Sequence, residues 1–275
     1  MWTLSGFADE IDPDLVTQCR VLTDLGITWV ELRSAWGVNV LDLTDEQVGQ
    51  AQEVLREHGI RVSSIGSPIG KIGIRDDFEE HLVRMDRALE VARRFEAPYI
   101  RLFSFFIPEG EDPADHRDEV LRRMRALADR AEGTGTTLLH ENEKEIYGDV
   151  PERVLDLVTS VGSPTLRLAW DSANYVQCGV RPVTQGYDDL RPFTDYIQVK
   201  DALLATGEVV PSGEGDGEVR ELVRRLLADG YDGFFSMEPH LARTTSYGGF
   251  SGADEFVRAT KAFTAILDSE GATFQ

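Results

Sequence analysis

Short apolar runs rich in β-branched and aromatic residues alternate along the chain with longer stretches of helical periodicity, and the alternation recurs eight times at roughly thirty-residue spacing. The pattern predicts strands at Thr3–Phe7, Thr28–Leu32, Arg61–Ile65, Tyr99–Ser104, Thr136–Glu141, Leu166–Asp171, Tyr196–Lys200 and Gly233–Glu238. Between them, Asp12-Pro13, Asp112-Pro113 and the capping box Thr44-Asp45-Glu46-Gln47 read as helix starts, because their side-chain oxygens can accept from free amides of a first turn. Leu25-Gly26, His58-Gly59 and Asp229-Gly230 read as helix ends. Strand and helix alternating throughout calls for a parallel sheet, and eight units close most naturally into a single (β/α)8 barrel spanning residues 1–275. A doubly wound open sheet is the alternative. It would want a glycine-rich phosphate loop after its first strand, and Gly6-Phe7-Ala8-Asp9-Glu10 is not one.

Charge narrows the function. With 49 acidic against 28 basic residues the formal charge is −21, which repels a nucleic-acid backbone and argues against a DNA-processing role. The apolar runs are strand-sized, so no membrane span is expected. The first residues lack a basic segment followed by a long apolar one, which reads as a cytoplasmic protein. The two cysteines, Cys19 and Cys178, have no paired spacing, so both are expected to pack rather than bridge or bind metal.

In a barrel of this kind chemistry sits at the C-terminal strand ends. The last four predicted strands finish in Leu139-His140-Glu141, Ala169-Trp170-Asp171, Ile197-Gln198-Val199-Lys200 and Ser236-Met237-Glu238. Adjacent strands would gather Glu141, Asp171, Gln198 and Glu238 around one point. Three crowded carboxylates repel unless a cation neutralises them, and oxygen-rich surroundings favour Mn²⁺ or Mg²⁺. Alternation turns His140 away from Glu141, whereas Lys200 shares parity with Gln198 and His240 with Glu238. Lys71, Arg101 and Lys200 are cations near strand ends in an acidic chain, and are candidates for contacting a substrate.

The set Asp9-Glu10-Ile11, Glu31-Leu32-Arg33, Ser67-Pro68-Ile69-Gly70-Lys71, Ile100-Arg101-Leu102-Phe103-Ser104-Phe105, Glu141-Asn142, Trp170-Asp171-Ser172-Ala173-Asn174, Val199-Lys200-Asp201 and Ser236-Met237-Glu238-Pro239-His240 resembles the sugar phosphate isomerase/epimerase family, the xylose isomerase-like barrels. The resemblance implies metal ligands at Glu141, Asp171, position 198 and Glu238, with histidine expected where this chain has Gln198. A glutamine carbonyl remains a donor, but losing imidazole should favour harder ions. The resemblance also implies a small-molecule carbohydrate substrate, a metal-held ketone, and Glu141 and Glu238 exchanging the neighbouring proton through an enediolate. It places Glu214, in the glycine-rich run Ser212–Gly217, near the substrate, and the parity with Glu238 makes His240 a further candidate for contacting it. A metal-assisted dehydratase of a polyol ketone and a non-catalytic sugar-binding barrel are the competing readings, the second prompted by Gln198. Self-association of the chain is compatible with all of them.

Overall fold

A computed structural model describes residues 1–242 and 250–275. Its eight long strands are β1 (Thr3–Gly6), β2 (Trp29–Leu32), β3 (Arg61–Ile65), β4 (Tyr99–Leu102), β5 (Thr137–Glu141), β6 (Leu166–Asp171), β7 (Thr194–Val199) and β8 (Phe234–Met237). They pair in parallel, in chain order from β2 round to β8, and β8 pairs with β1. β1 and β2 lie side by side, so the ring is a nearly closed barrel. The helices pack around it, as the eight-unit reading required, and no helix of the described residues is long and apolar enough to cross a membrane.

Helix starts follow side-chain chemistry. At the helix Asp45–Glu57, Thr44 accepts from Gln47 N–H at 3.2 Å while the Gln47 side chain accepts from Thr44 N–H at 2.9 Å, the predicted capping box. Asp112 caps Pro113–Ala131 as expected. The first helix, Leu15–Asp24, is capped by Asp14 rather than Asp12. Asp12 instead accepts the Asp14 N–H at 2.8 Å, because the turn Ala8–Glu10 carries the chain two residues further before the helix begins. Strand boundaries shift similarly: the seventh starts at Thr194 and the eighth stops at Met237, ahead of Pro239.

The barrel is filled by inward residues at alternate positions. Leu139, Ala169 and Tyr196 form a small apolar layer with Tyr99 and Phe234, separate from the larger core between strands and helices. Above it the filling turns polar: Ser5 and Ser63 hydroxyls meet at 2.6 Å, and Ser63 meets the Tyr196 hydroxyl at 2.9 Å. Continuing the same alternation, the inward residues above are Glu31, Arg101, Glu141, Asp171 and Gln198, and on β8 Ser236 and then Glu238.

One outer loop bears on that layer. After β3 the chain passes Gly70, whose φ of 87° and closeness to Phe103 admit only glycine: a Cβ there would lie 2.0 Å from the Phe103 oxygen. Gly70 N–H donates to Nε2 of buried His81 at 2.7 Å, which requires neutral imidazole. Burial, then the charges of Arg84 and Arg123, lower the His81 pKa from 6.5 to about 4. The unfolded chain therefore takes up a proton near pH 6.5 that the native state refuses until about pH 4, so this contribution to stability is complete above pH 6.5 and is lost as pH falls towards 4. The full effect is about 3 kcal/mol at about 1.4 kcal/mol per pKa unit. His81→Gln keeps an acceptor for Gly70, so urea unfolding at pH 7 and pH 4.5 should show a smaller acid loss in the variant. An equal loss in both proteins would remove His81 as the cause.

Candidate active site

Glu141 ends β5, Asp171 ends β6, and Glu238 follows β8, all 2% exposed or less. Each offers a carboxylate oxygen to a cluster whose atoms lie within 4.8 Å of one another, so the acidic group could hold a metal ion. Asp171 stands opposite Gln198 in the β6–β7 register, and Gln198 opposite Ser236 in β7–β8, which puts position 198 between the acids as the strand-end reading anticipated.

Positive charge reaches the cluster from within the chain. The Lys200 ammonium lies 2.8 Å from Asp171 Oδ2 and 3.1 Å from Glu238 Oε2. Arg101 Nη1 donates to Glu141 Oε2 at 3.0 Å and lies 3.6 Å from Glu238 Oε1. Arg33 Nη1 donates to the same Glu238 oxygen at 3.3 Å while its Nε binds Asp9 at 2.8 Å. Burial pushes Glu141 up to about 8, with Arg101 opposing, and pushes Asp171 up to about 6 against the pull of Lys200. At Glu238 the burial penalty is outweighed by the charges of Lys200 and His240, holding it well below the usual range. The paired glutamates are thus electrically unlike, one favouring its proton and the other its charge.

The fit of an ion can be tested on the donors. Gln198 Oε1 is a buried acceptor with no hydrogen-bond partner, whereas Asp171 Oδ2 is met by the Lys200 ammonium at 2.8 Å, so an ion drawing on both oxygens would have to displace that contact. The donor set is entirely oxygen, which suits hard divalent ions. Gln198 carries a further feature: its Nε2 donates to both oxygens of buried Glu31, at 3.3 and 3.1 Å.

The remaining predicted residues divide. His140 faces outward, meeting Ser104 through Nε2 at 2.9 Å, and burial lowers its pKa to about 3, so it is structural. His240 does reach the mouth, its Nε2 3.3 Å from Glu238 and 3.2 Å from Glu10, through a left-handed φ of 48° rather than strand parity. Lys71 lies over the Phe103 ring and 3.4 Å from Glu143, at the rim. Glu214 is exposed beside Arg258 at 3.8 Å and is not brought to the carboxylates. Its loop is organised by Asp201, which accepts backbone N–H bonds from Gly213, Gly215 and Gly217 at 2.8–3.1 Å. Glu31, Arg33, Glu10 and Asp9 had no assigned role in the sequence, although Glu31-Leu32-Arg33 carries the period-two signal that places both charged residues inward.

A parallel barrel with acids, amides and cations gathered at its C-terminal mouth defines a class of enzyme scaffold. The model of the xylose isomerase-like TIM barrels matches residues 19–260, and the chain belongs to that family. A curated relative, the 2-epi-5-epi-valiolone 7-phosphate 2-epimerase of an Actinoplanes species, is 28% identical over 182 residues, 66% of this chain and 65% of that protein, so the match spans just under two thirds of the relative's length. Among solved structures, a D-tagatose 3-epimerase-like protein superposes with a TM-score of 0.79 at 16% identity, covering 98% of each chain. The IOLI protein with a bound zinc atom gives 0.77 at 15%, covering 98% of this chain and 99% of that one.

If the Lys200 ammonium stands in the ion's place, removing it should open the site. Lys200→Met should bind Mn²⁺ about tenfold more tightly than the unaltered protein, ~1.4 kcal/mol, in a calorimetric titration. Equal or weaker binding would mean that the ammonium and the ion do not compete.

Proposed function

We propose that the chain is a carbohydrate isomerase or epimerase that moves a proton on a carbon next to a ketone. The observation that carries this is the convergence of Glu141 and Glu238, from β5 and the end of β8, on one buried spot between them. Two carboxylates facing one substrate carbon from different sides can remove a proton from one face and return it to the other, which inverts that centre; return to the neighbouring carbon isomerises instead. Membership of the xylose isomerase-like family and the sugar-phosphate epimerase activity named for the Actinoplanes relative support the reading.

The chain's own groups divide the work. Arg101 and Lys200 are the cations nearest the glutamates and are placed to receive negative charge as it grows on the substrate oxygens. His240 and Arg33 hold Glu238 in position. Lys71, at the rim with a third of its side chain exposed, is placed to meet a hydroxyl or phosphate of the substrate's far end. Glu141, Asp171, Gln198 and Glu238 would hold a divalent ion, Mn²⁺ or Mg²⁺ by the chemistry of the donors, which would lower the cost of the enediolate by drawing charge from the ketone.

Proton exchange at carbon tests this directly. In D₂O with candidate ketoses and their phosphates, the unaltered protein should wash deuterium into the carbon next to the ketone, followed by NMR. Glu141→Gln and Glu238→Gln should each slow that exchange about 10²–10⁴-fold. Exchange retained in both variants would end the assignment of the glutamates.

A further inference from the structure

A carboxamide has two nearly isosteric ends, and only the oxygen end can bind a cation. Whether Gln198 helps to hold an ion therefore depends on what fixes its rotation, and the structure contains one group that does. Glu31 reaches across the barrel interior from β2, fully buried, and both its oxygens face Gln198 Nε2, at 3.3 and 3.1 Å. Both oxygens lie against the amino nitrogen, so Glu31 engages the amino end of the amide. The oxygen end is thereby turned away from Glu31, and it is buried with no hydrogen-bond partner. Leaving such an acceptor unmet is unfavourable, so the site gains by supplying it a partner. The unmet oxygen belongs to a residue flanked by Asp171 on one strand and by the strand leading to Glu238 on the other.

We propose that Glu31 is a positioning residue that locks the Gln198 amide so that its carbonyl oxygen serves as the fourth oxygen donor of the Glu141–Asp171–Glu238 ion site. This rests on the ion-assisted part of the functional reading above. It replaces chance rotation of a neutral side chain by a fixed donor, and it assigns a task to a buried acid that neither proton transfer nor strand pairing uses. The set so completed is all oxygen, the ligand chemistry that suits Mn²⁺ or Mg²⁺.

The test is Mn²⁺ titration by calorimetry on the intact chain, with thermal unfolding of each ion-free variant alongside. Glu31→Gln and Gln198→Leu should each weaken Mn²⁺ binding about tenfold or more, the usual effect of losing an orienting partner or a neutral donor. Because the two act as one unit, Glu31→Gln/Gln198→Leu should bind about as weakly as either single variant, and Glu31→Gln/Gln198→His, whose imidazole can offer either ring nitrogen to the ion, should recover affinity. A loss in the double variant equal to the product of the two single losses would show independent roles and overturn the proposal. So would an unchanged affinity in Gln198→Leu, the result expected if a buried water satisfies the oxygen, or a lowered melting temperature of Glu31→Gln with affinity intact. Failure of the unaltered protein to bind Mn²⁺ would overturn it together with the ion-assisted step, while the deuterium exchange of the glutamates would still stand or fall by itself.

Discussion

Three carboxylates with oxygens inside 4.8 Å of one another, almost wholly shielded from water, constitute a charge problem that the remainder of the mouth is arranged to answer. Isolated, they would repel and refuse ionisation. Lys200 is delivered from the same strand as Gln198, Arg101 from β4, and Arg33 from just past β2, so the balancing charges approach from different sides of the ring. The barrel makes this possible because alternation along each strand sends every second residue inward at nearly the same height. Arg33 also ties Asp9, which accepts from the Ser34 hydroxyl at 2.9 Å, so the charge network and the packing of the first two units are one construction.

That network also fastens the ends of the barrel together. Glu10, in the turn after β1, accepts the His240 N–H at 2.9 Å and the Ser251 hydroxyl at 2.8 Å through its side chain, and the Ser251 and Gly252 amides through its carbonyl. His240 in turn spans Glu10 and Glu238. A left-handed backbone at a non-glycine residue costs on the order of 1 kcal/mol and is kept where the surroundings demand it; here the demand is to bring the imidazole back over Glu238 after Pro239 has ended the strand. Just past the seventh strand the same logic runs outward: Lys200 turns into the mouth and Asp201 turns to the glycine loop. A Cβ at Gly215 would sit 2.3 Å from the Asp201 carboxylate, so the loop closes on that acid only because it has no side chain there.

The barrel was legible because its signal is repeated and local. Eight apolar runs separated by helical stretches need no knowledge of contacts, and the strands at Arg61–Ile65 and Leu166–Asp171 fall where the pattern placed them. The acid cluster was legible for the same reason: once strands are adjacent in order, their last inward residues must meet. What the pattern could not reveal is pairing across the ring and rotation about a side-chain bond. Glu31 follows a bulge between Val30 and Glu31, and its partner lies 167 residues away on β7. Glu10 and His240 meet across 230 residues through a backbone turn that parity does not describe. Glu214 was drawn inward by resemblance, yet the loop's amides are spent on Asp201 and its own carboxylate is left in solvent.

Glutamine at position 198, where the resemblance implies histidine, is a smaller departure in hydrogen-bond terms than in residue names. A ligating imidazole presents one nitrogen to an ion and donates its other N–H to a carboxylate or carbonyl that sets its orientation. Gln198 keeps both halves of that arrangement: its amino end donates to Glu31 and its other end is an unpartnered acceptor in the mouth. What changes is the donor atom, from nitrogen to a neutral oxygen, with no change in charge. A site already rich in anionic oxygen and already supplied with Lys200 and Arg101 has less need of a strongly bound, softer ion, because part of the charge that an ion would neutralise is balanced from within. Glutamine at this position would therefore favour a harder ion sharing the electrostatic work with two fixed side-chain cations, and it leaves in place the geometry that brings the Glu141 and Glu238 carboxylates within 4.8 Å of one another.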